Sequence, residues 1–321
     1  MQNRIANTSS YRNFQSLNEI NAQVRTDPAG FVEHCEALYN HTIDDVARHI
    51  LTTTRSVVLL AGPSGSGKTT TAKRLAEAME RDGVETHTVE LDDYFLPLDR
   101  SDLSIDWESP DRVDLPLLSA HLDALGRGEE IELPRFDFKT GTRLPSEKSI
   151  RLGRDEVVIF EGIHALNSAI YTKTSCHPIT IYISARMRIR DETHVIFRPD
   201  WIRFLRRGLR DSLFRNTTLS HTLARWPDVR RGEKAYIMPF KTRAQIMIDT
   251  AFDYEVNLLA PLMQEAVSSL DRTALGELRM ARLPDAMSLF APLSPSCVPA
   301  SSILREFMGG LGLPDAAEDA R

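Results

Sequence analysis

Cysteine is scarce in this chain: Cys35, Cys176 and Cys297 are the only three in 321 residues, far apart and without C-x-x-C or other metal-ligand spacing. That excludes a disulfide framework and a cysteine-bound zinc site, and reads as the reduced thiols of a cytoplasmic protein. No apolar run reaches the length of a membrane span, and the polar stretch 1–25 lacks the apolar core of a signal peptide. Neither a bilayer partner nor secretion is therefore expected. A basic excess is missing too: the formal net charge is -6, which argues against a general nucleic-acid binder and points to small-molecule partners. There is no internal repeat. What remains, 42% hydrophobic and 26% charged residues, suits a soluble chain with enough apolar mass for one large α/β domain and additions.

Gly62-Pro63-Ser64-Gly65-Ser66-Gly67-Lys68-Thr69 is a complete G-x-x-x-x-G-K-[ST] loop. Its surroundings are the ones such a loop needs. Ser56 to Ala61 is a short apolar, β-branched run that predicts a strand, and Thr70 to Arg81 predicts a helix stopped at Gly83. A loop in that position turns successive backbone N–H groups toward a polyphosphate, and the helix N-terminus adds partial positive charge. Lys68 is expected on the β- and γ-phosphates, the Thr69 hydroxyl on Mg²⁺, and Thr70 beside the nucleotide.

Along the rest of the chain, residues 1–26 are polar and predict a poorly ordered start. Two helices follow, one opened by Asp27-Pro28, the other by a capping box of Thr42 and Asp45. Val84 to Leu91 and Glu156 to Glu161 read as strands that end in acids, Asp92-Asp93 and Glu161, and Ile179 to Ser184 as a third apolar run. Pro116 to Leu125 predicts a helix, and Ile131 to Phe138 an extended segment turning at Thr140-Gly141. Alternating strands and helices predict a mainly parallel sheet with helices on both faces, where ligands bind at the carboxyl ends of the strands. From Arg198 to Arg243, twelve arginines and lysines face four acids, an excess suited to an anionic ligand. Residues 283–299 are Pro/Ser-rich and loop-like, and 314–321 read as a frayed end. The resulting division is an N-terminal helical extension (1–55), a P-loop domain (56–265, with a lid at about 198–234) and a C-terminal extension (266–321).

Phosphoryl transfer to a hydroxyl needs a metal held by an acid, a carboxylate to take the hydroxyl proton, and cations over the transferring group. Glu161 stands in the place of a metal-binding acid, Asp92 is the candidate base, and Arg206, Arg207, Arg210 and Arg215 are candidates for a closing lid. At this point the chain resembles the uridine kinase and phosphoribulokinase family. The likeness runs over about residues 56–262 in motif order: the loop, Leu91-Asp92-Asp93-Tyr94-Phe95, Asp106-Trp107-Glu108, Pro134-Arg135-Phe136-Asp137-Phe138, Phe160-Glu161-Gly162-Ile163 and Arg206-Arg207-Gly208-Leu209-Arg210-Asp211. Trp226-Pro227-Asp228-Val229-Arg230-Arg231-Gly232-Glu233 and Ile303-Leu304-Arg305-Glu306-Phe307 resemble later signatures of bacterial uridine kinase-like nucleoside kinases.

That resemblance implies a P-loop kinase fold and an ATP- and Mg²⁺-dependent kinase of a small-molecule hydroxyl, most readily the 5′-OH of a nucleoside; homo-oligomers are compatible with the group. Asp92, Lys68, Arg207 and Arg210 are the implied catalytic residues, with Arg215 on the nucleotide and Thr69 and Glu161 on the metal. Asp93, Tyr94, Glu108, Phe136 and Arg207 are the implied acceptor contacts, Glu108 toward ribose hydroxyls. Two positions depart from the pyrimidine kinases: Phe136 stands where they carry tyrosine and Gly141 where they carry a base-reading histidine. Both polar base contacts are lost, which admits another base or a non-nucleoside sugar, sugar phosphate or polyol. A catalytically silent ATP-binding regulator is the remaining alternative.

Overall fold

A computed structural model describes residues 5–6, 14–98, 106–171 and 176–313. Helix α1 (Leu17–Thr26) starts at Ser16, whose hydroxyl accepts from the Glu19 N–H, and α2 (Pro28–Leu51) starts at Asp27, whose carboxylate accepts from the Gly30 N–H. The predicted break at Thr42 is absent. Thr42 lies within α2 and its hydroxyl donates to the Leu38 carbonyl at 3.0 Å. The buried stripe Val32, Cys35, Tyr39, Ile43, Val46 and Ile50 runs through that point, so burial of one apolar face overrides a local capping signal. The segment read as a polar start likewise contains α1, with Leu17, Ile20 and Val24 buried.

The central sheet is parallel at every pairing. Its strands are β1 (Ile5–Ala6), β2 (Val57–Ala61), β3 (Thr86–Glu90), β4 (Val157–Glu161), β5 (Ile179–Ser184) and β6 (Ile246–Asp249), in the order β1-β6-β5-β2-β4-β3. Strand β2 is buried along its whole length because both faces are covered. Val58 and Leu60 join the core with α2 and α3 (Lys68–Arg81), whereas Val57, Leu59 and Ala61 join the core with α4 (Leu115–Gly126). This two-sided burial is why the strands read as continuous apolar runs. The chain leaves β2 for α3 between β4 and β5, the point where the strand order reverses, and a crevice opens there at the strand ends.

Three further elements complete the surroundings of that crevice: α5 (Pro199–Phe214), α6 (Leu219–Gly232) and α7 (Glu255–Ser268). The predicted extended segment 131–138 is two short strands instead. Ile131–Glu132 pairs with Ser149–Ile150 and Arg135–Asp137 with Thr142–Leu144, since Pro134 lacks an N–H to continue one ladder. Residues 283–299 are not a loose tail: they hold helix Leu283–Met287, and Leu283, Met287, Leu293 and Val298 are buried in the same core as α1, α2 and α7. The expectation for 314–321 lies outside the described residues. Among the described residues no helix is long and apolar enough to cross a membrane, and the three cysteines form no disulfide.

Candidate active site

The phosphate loop is fixed by its carbonyls. Ser66 O accepts from the Thr250 hydroxyl at 2.7 Å, Gly65 O from Arg206 Nη1 at 3.3 Å and Ser64 O from Arg203 Nη1 at 3.2 Å. Gly65 and Gly67 sit at φ of 74° and 81°, the left-handed region that tolerates glycine, and a Cβ at Gly65 would lie 2.8 Å from the Arg203 carbonyl. The loop is thereby bent tightly into α3, whose first N–H groups have no intrahelical acceptor and face an incoming anion. Lys68 and Thr69 open that helix and line a cleft of 420 Å³.

Acids from two neighbouring strands meet them. Glu90 and Glu161 are register partners at the carboxyl ends of β3 and β4, and Asp92 follows two residues after Glu90 in the 3₁₀ segment Leu91–Tyr94. All three line the cleft. Burial holds the Glu161 carboxyl up at about 7, opposed by Lys68 and by a 2.5 Å hydrogen bond from the Thr69 hydroxyl. Asp92 is also raised by burial, with Lys68, Arg215 and Arg210 pulling it back. Asp92 is itself exposed at the cleft. Glu90 is raised in the same direction, by burial and then by Asp92 and Asp93. Such a set of crowded carboxylates lacks a compensating charge beyond the nearby cations, and the hydroxyl and carboxylate oxygens of Thr69 and Glu161 are hard donors suited to Mg²⁺. Among the described residues no group of three or more His, Cys, Asp or Glu makes a protein-only metal cage.

Helix α5 brings the arginines, but not all to the same place. Arg206, expected in the lid, has no exposed surface: it donates to both oxygens of Glu255, to the Thr250 carbonyl and to Gly65 O. It is a buried strut behind the loop. Arg207, Arg210 and Arg215 do line the cleft, gathered by Asp211 at 3.3, 3.5 and 3.6 Å respectively. Arg207 also donates to Ser64 Oγ at 2.9 Å.

The far wall holds Trp107, Glu108, Phe138, Arg225, Asp228 and Arg231. Glu108 packs against the end of α6 so closely that a Cβ at Gly232 would lie 2.2 Å from its own Cβ, and burial raises its carboxyl to about 7 against the pull of Arg207 and Lys68. Three expected acceptor contacts do not reach the cleft. Tyr94 is fully buried with its hydroxyl 2.9 Å from His121 Nδ1, Asp93 accepts from the Phe136 N–H at 3.1 Å, and Phe136 is buried edge-on to Phe95 and Phe138. Phe138, half exposed, is the hairpin aromatic that faces the cleft. Strand alternation would put 136 and 138 on one face, but Phe138 lies just past the end of the strand at Asp137, in the turn, and so escapes that alternation. His164 is buried and held neutral, its value lowered to about 4, and His194 sits in an exposed turn bonded to Thr193. Glu90, Arg225, Arg231 and Glu306 also line the cleft; the basic stretch 198–243 contains the two arginines and the later motifs contain Arg231 and Glu306, whereas nothing local marks Glu90.

A parallel sheet with a phosphate loop at its reversal point, a lysine and acids at the strand ends and arginines above them defines a P-loop kinase. The chain belongs to the Phosphoribulokinase / Uridine kinase family, whose pattern matches residues 57–257. It is 32% identical to a uridine kinase of Deinococcus deserti over 199 residues, 60% of this chain and 86% of that one. With a uridine kinase of Lactobacillus helveticus it shares 29% identity over 222 residues, 66% of this chain and 95% of that one. A D-glycerate 3-kinase from Cryptococcus neoformans is structurally similar at a TM-score of 0.30 and 17% identity, covering 83% of this chain and 88% of that one, too remote to bear on the acceptor. The chain is thus a kinase of the phosphoribulokinase and uridine kinase type, a phosphotransferase acting on an alcohol of a small molecule.

Proposed function

We propose that this kinase transfers the γ-phosphoryl group of ATP to the primary hydroxyl of a nucleoside, the 5′-OH. The observation that carries the reading is the opening of Asp92, Lys68, Glu161, Arg207 and Arg210 onto one cleft, beside Glu108 and the exposed ring of Phe138. Lys68 and the first N–H groups of α3 bind the β- and γ-phosphates. Thr69 and Glu161 hold Mg²⁺, which supplies charge neutralisation for the transferring group when bound. Asp92 accepts the hydroxyl proton as the new P–O bond forms, help worth roughly 10² to 10⁴ in rate. Arg207 and Arg210 present planar donors to the equatorial oxygens, with Arg215 at the rim. Glu108 accepts from a vicinal diol, and Phe138 and Trp107 offer rings against which a base stacks.

A second reading, a kinase of a sugar, sugar phosphate or polyol, is favoured by one feature: Phe136 is turned into the core and Gly141 has no side chain, so neither offers a polar base contact. Acceptor-dependent ADP release from Mg²⁺ and ATP, measured over a panel of nucleosides, sugars, polyols and sugar phosphates, separates the two. Turnover with nucleosides is expected. Turnover with polyols alone moves the assignment to the second reading, and ATP binding without acceptor-dependent turnover across the panel would sink both.

A further inference from the structure

The C-terminal segment reaches back to the nucleotide half of the cleft. Glu306, on the short helix Arg305–Met308, accepts from the Thr70 N–H at 3.3 Å and from the Thr70 hydroxyl at 2.8 Å. Thr70 is in the first turn of the 14-residue α3, so its N–H is one of the orphan donors that a polyphosphate at this helix end needs. A carboxylate of the chain itself therefore occupies a donor pair that nucleotide phosphate would claim.

The segment that presents it is held firmly. Arg305 donates to the carbonyls of Pro295, Val298, Pro299, Gly309 and Leu311, and the guanidinium of the buried Arg206 lies 5.1 Å from the Phe307 ring centroid. Ile303 Cδ1 stands 3.4 Å from where a Cβ at Gly67 would be. With the backbone so fixed, the Glu306 side chain is the part free to turn. It is 18% exposed, and Arg210 Nη1, 3.9 Å away, is its next partner.

We propose that Glu306 is an internal competitor for the nucleotide: its carboxylate caps α3 in the empty enzyme, must turn away when ATP binds, and so sets nucleotide affinity from the C-terminal extension. This inference rests on the reading of the loop as a nucleotide site but not on the identity of the acceptor. Its test is titration of the full chain with Mg²⁺ and ATP by calorimetry, beside thermal melts with and without nucleotide. Glu306→Ala is expected to bind ATP roughly tenfold more tightly, since a charge-assisted hydrogen bond no longer has to be broken first, and Glu306→Gln, which keeps the shape, by a smaller factor. Both variants are expected to melt below the parent without nucleotide and together with it at saturating ATP. Unchanged affinity in both variants overturns the proposal, and weakened affinity makes Glu306 a ligand of the nucleotide instead. Tighter binding with no loss of stability in the empty enzyme reduces the effect to long-range repulsion and also overturns it. A parent chain that binds no ATP removes the nucleotide reading itself, and this inference with it.

Discussion

The two walls of the cleft are built by different means. On the phosphate wall the ligand-facing groups are backbone amides and a few side chains, and behind them stand fully buried polar contacts such as Arg206–Glu255 and Thr250–Ser66. On the wall proposed for the acceptor the facing groups are side chains of α6 and the hairpin, among them Arg225 and Arg231, whose side chains are 49% and 59% exposed. A polyphosphate has one geometry, so a rigid wall suits every member of a kinase family; acceptors differ, and a wall of solvated side chains can change without loss of fold. The neighbours Arg206 and Arg207 display the contrast within one helix turn: the first is sealed in the core, the second opens into the cleft.

The comparison breaks first, and by the largest factor, at Asp92. Asp92→Asn is expected to lower kcat by about 10² to 10⁴ while the ATP Kd, measured by calorimetry, stays within a few-fold; equal activity would remove Asp92 from the mechanism. The paired arginines sharpen it next. Glu255→Gln leaves the Arg206 charge buried without its counterion and should destabilise the fold by about 3 to 5 kcal/mol in denaturant titration. Arg207→Ala should lower kcat by about 10² at little change in stability, as loss of a donor to transition-state charge does. If the two variants had the opposite profiles, the division between strut and lid would be wrong.

The phosphate wall was largely legible in the sequence, because backbone approach to phosphate demands glycine at fixed spacing and a two-sided sheet demands apolar runs. Asp92, Glu161 and Arg207, which the motif order groups, line one cleft, and the strands that precede Asp92 and carry Glu161 end within a few residues of the expected points. The rest failed where the deciding contact is distant in the chain. Arg206 looks like any lid arginine until Glu255, 49 residues on, arrives beside it, and nothing local links Thr70 to Glu306, 236 residues away. The continuity of α2 and the burial of residues 283–299 were hidden for the same reason: each depends on a face presented by another element rather than on its own residues.

Glu108 gives the acceptor wall a pH dependence. Its carboxyl, ordinarily near 4.5, is raised to about 7, so the folded protein retains a proton there over that window while the unfolded chain has lost it. Ionising Glu108 in the cleft therefore costs stability as pH climbs from 4.5 through 7, and the cost is complete above 7. A diol that donates both hydroxyls is held better by the ionised form, which accepts at both oxygens and more strongly. Its KM should fall about tenfold per pH unit below 7 and level off above, and Glu108→Gln should flatten that limb. A profile that persists in the variant would assign the titration to another group.

The smallest effect is expected at Arg231, and it probes whether the acceptor wall is separable from the phosphate wall at all. Arg231 pairs with Asp228 at 2.9 Å and Asp106 at 3.5 Å on an exposed surface. Such screened pairs contribute about 0 to 1 kcal/mol, so Arg231→Ala should melt close to the parent. Its removal nonetheless frees Asp106 and Asp228 at the cleft edge and alters the charge that an acceptor meets. A several-fold change in the acceptor KM with an unchanged KM for ATP is expected from steady-state kinetics, because no contact of Arg231 touches the loop or α3. An equal change in both would mean that the walls move together, with α6 transmitting the loss through Arg230, Glu233 and Arg203 to Ser64.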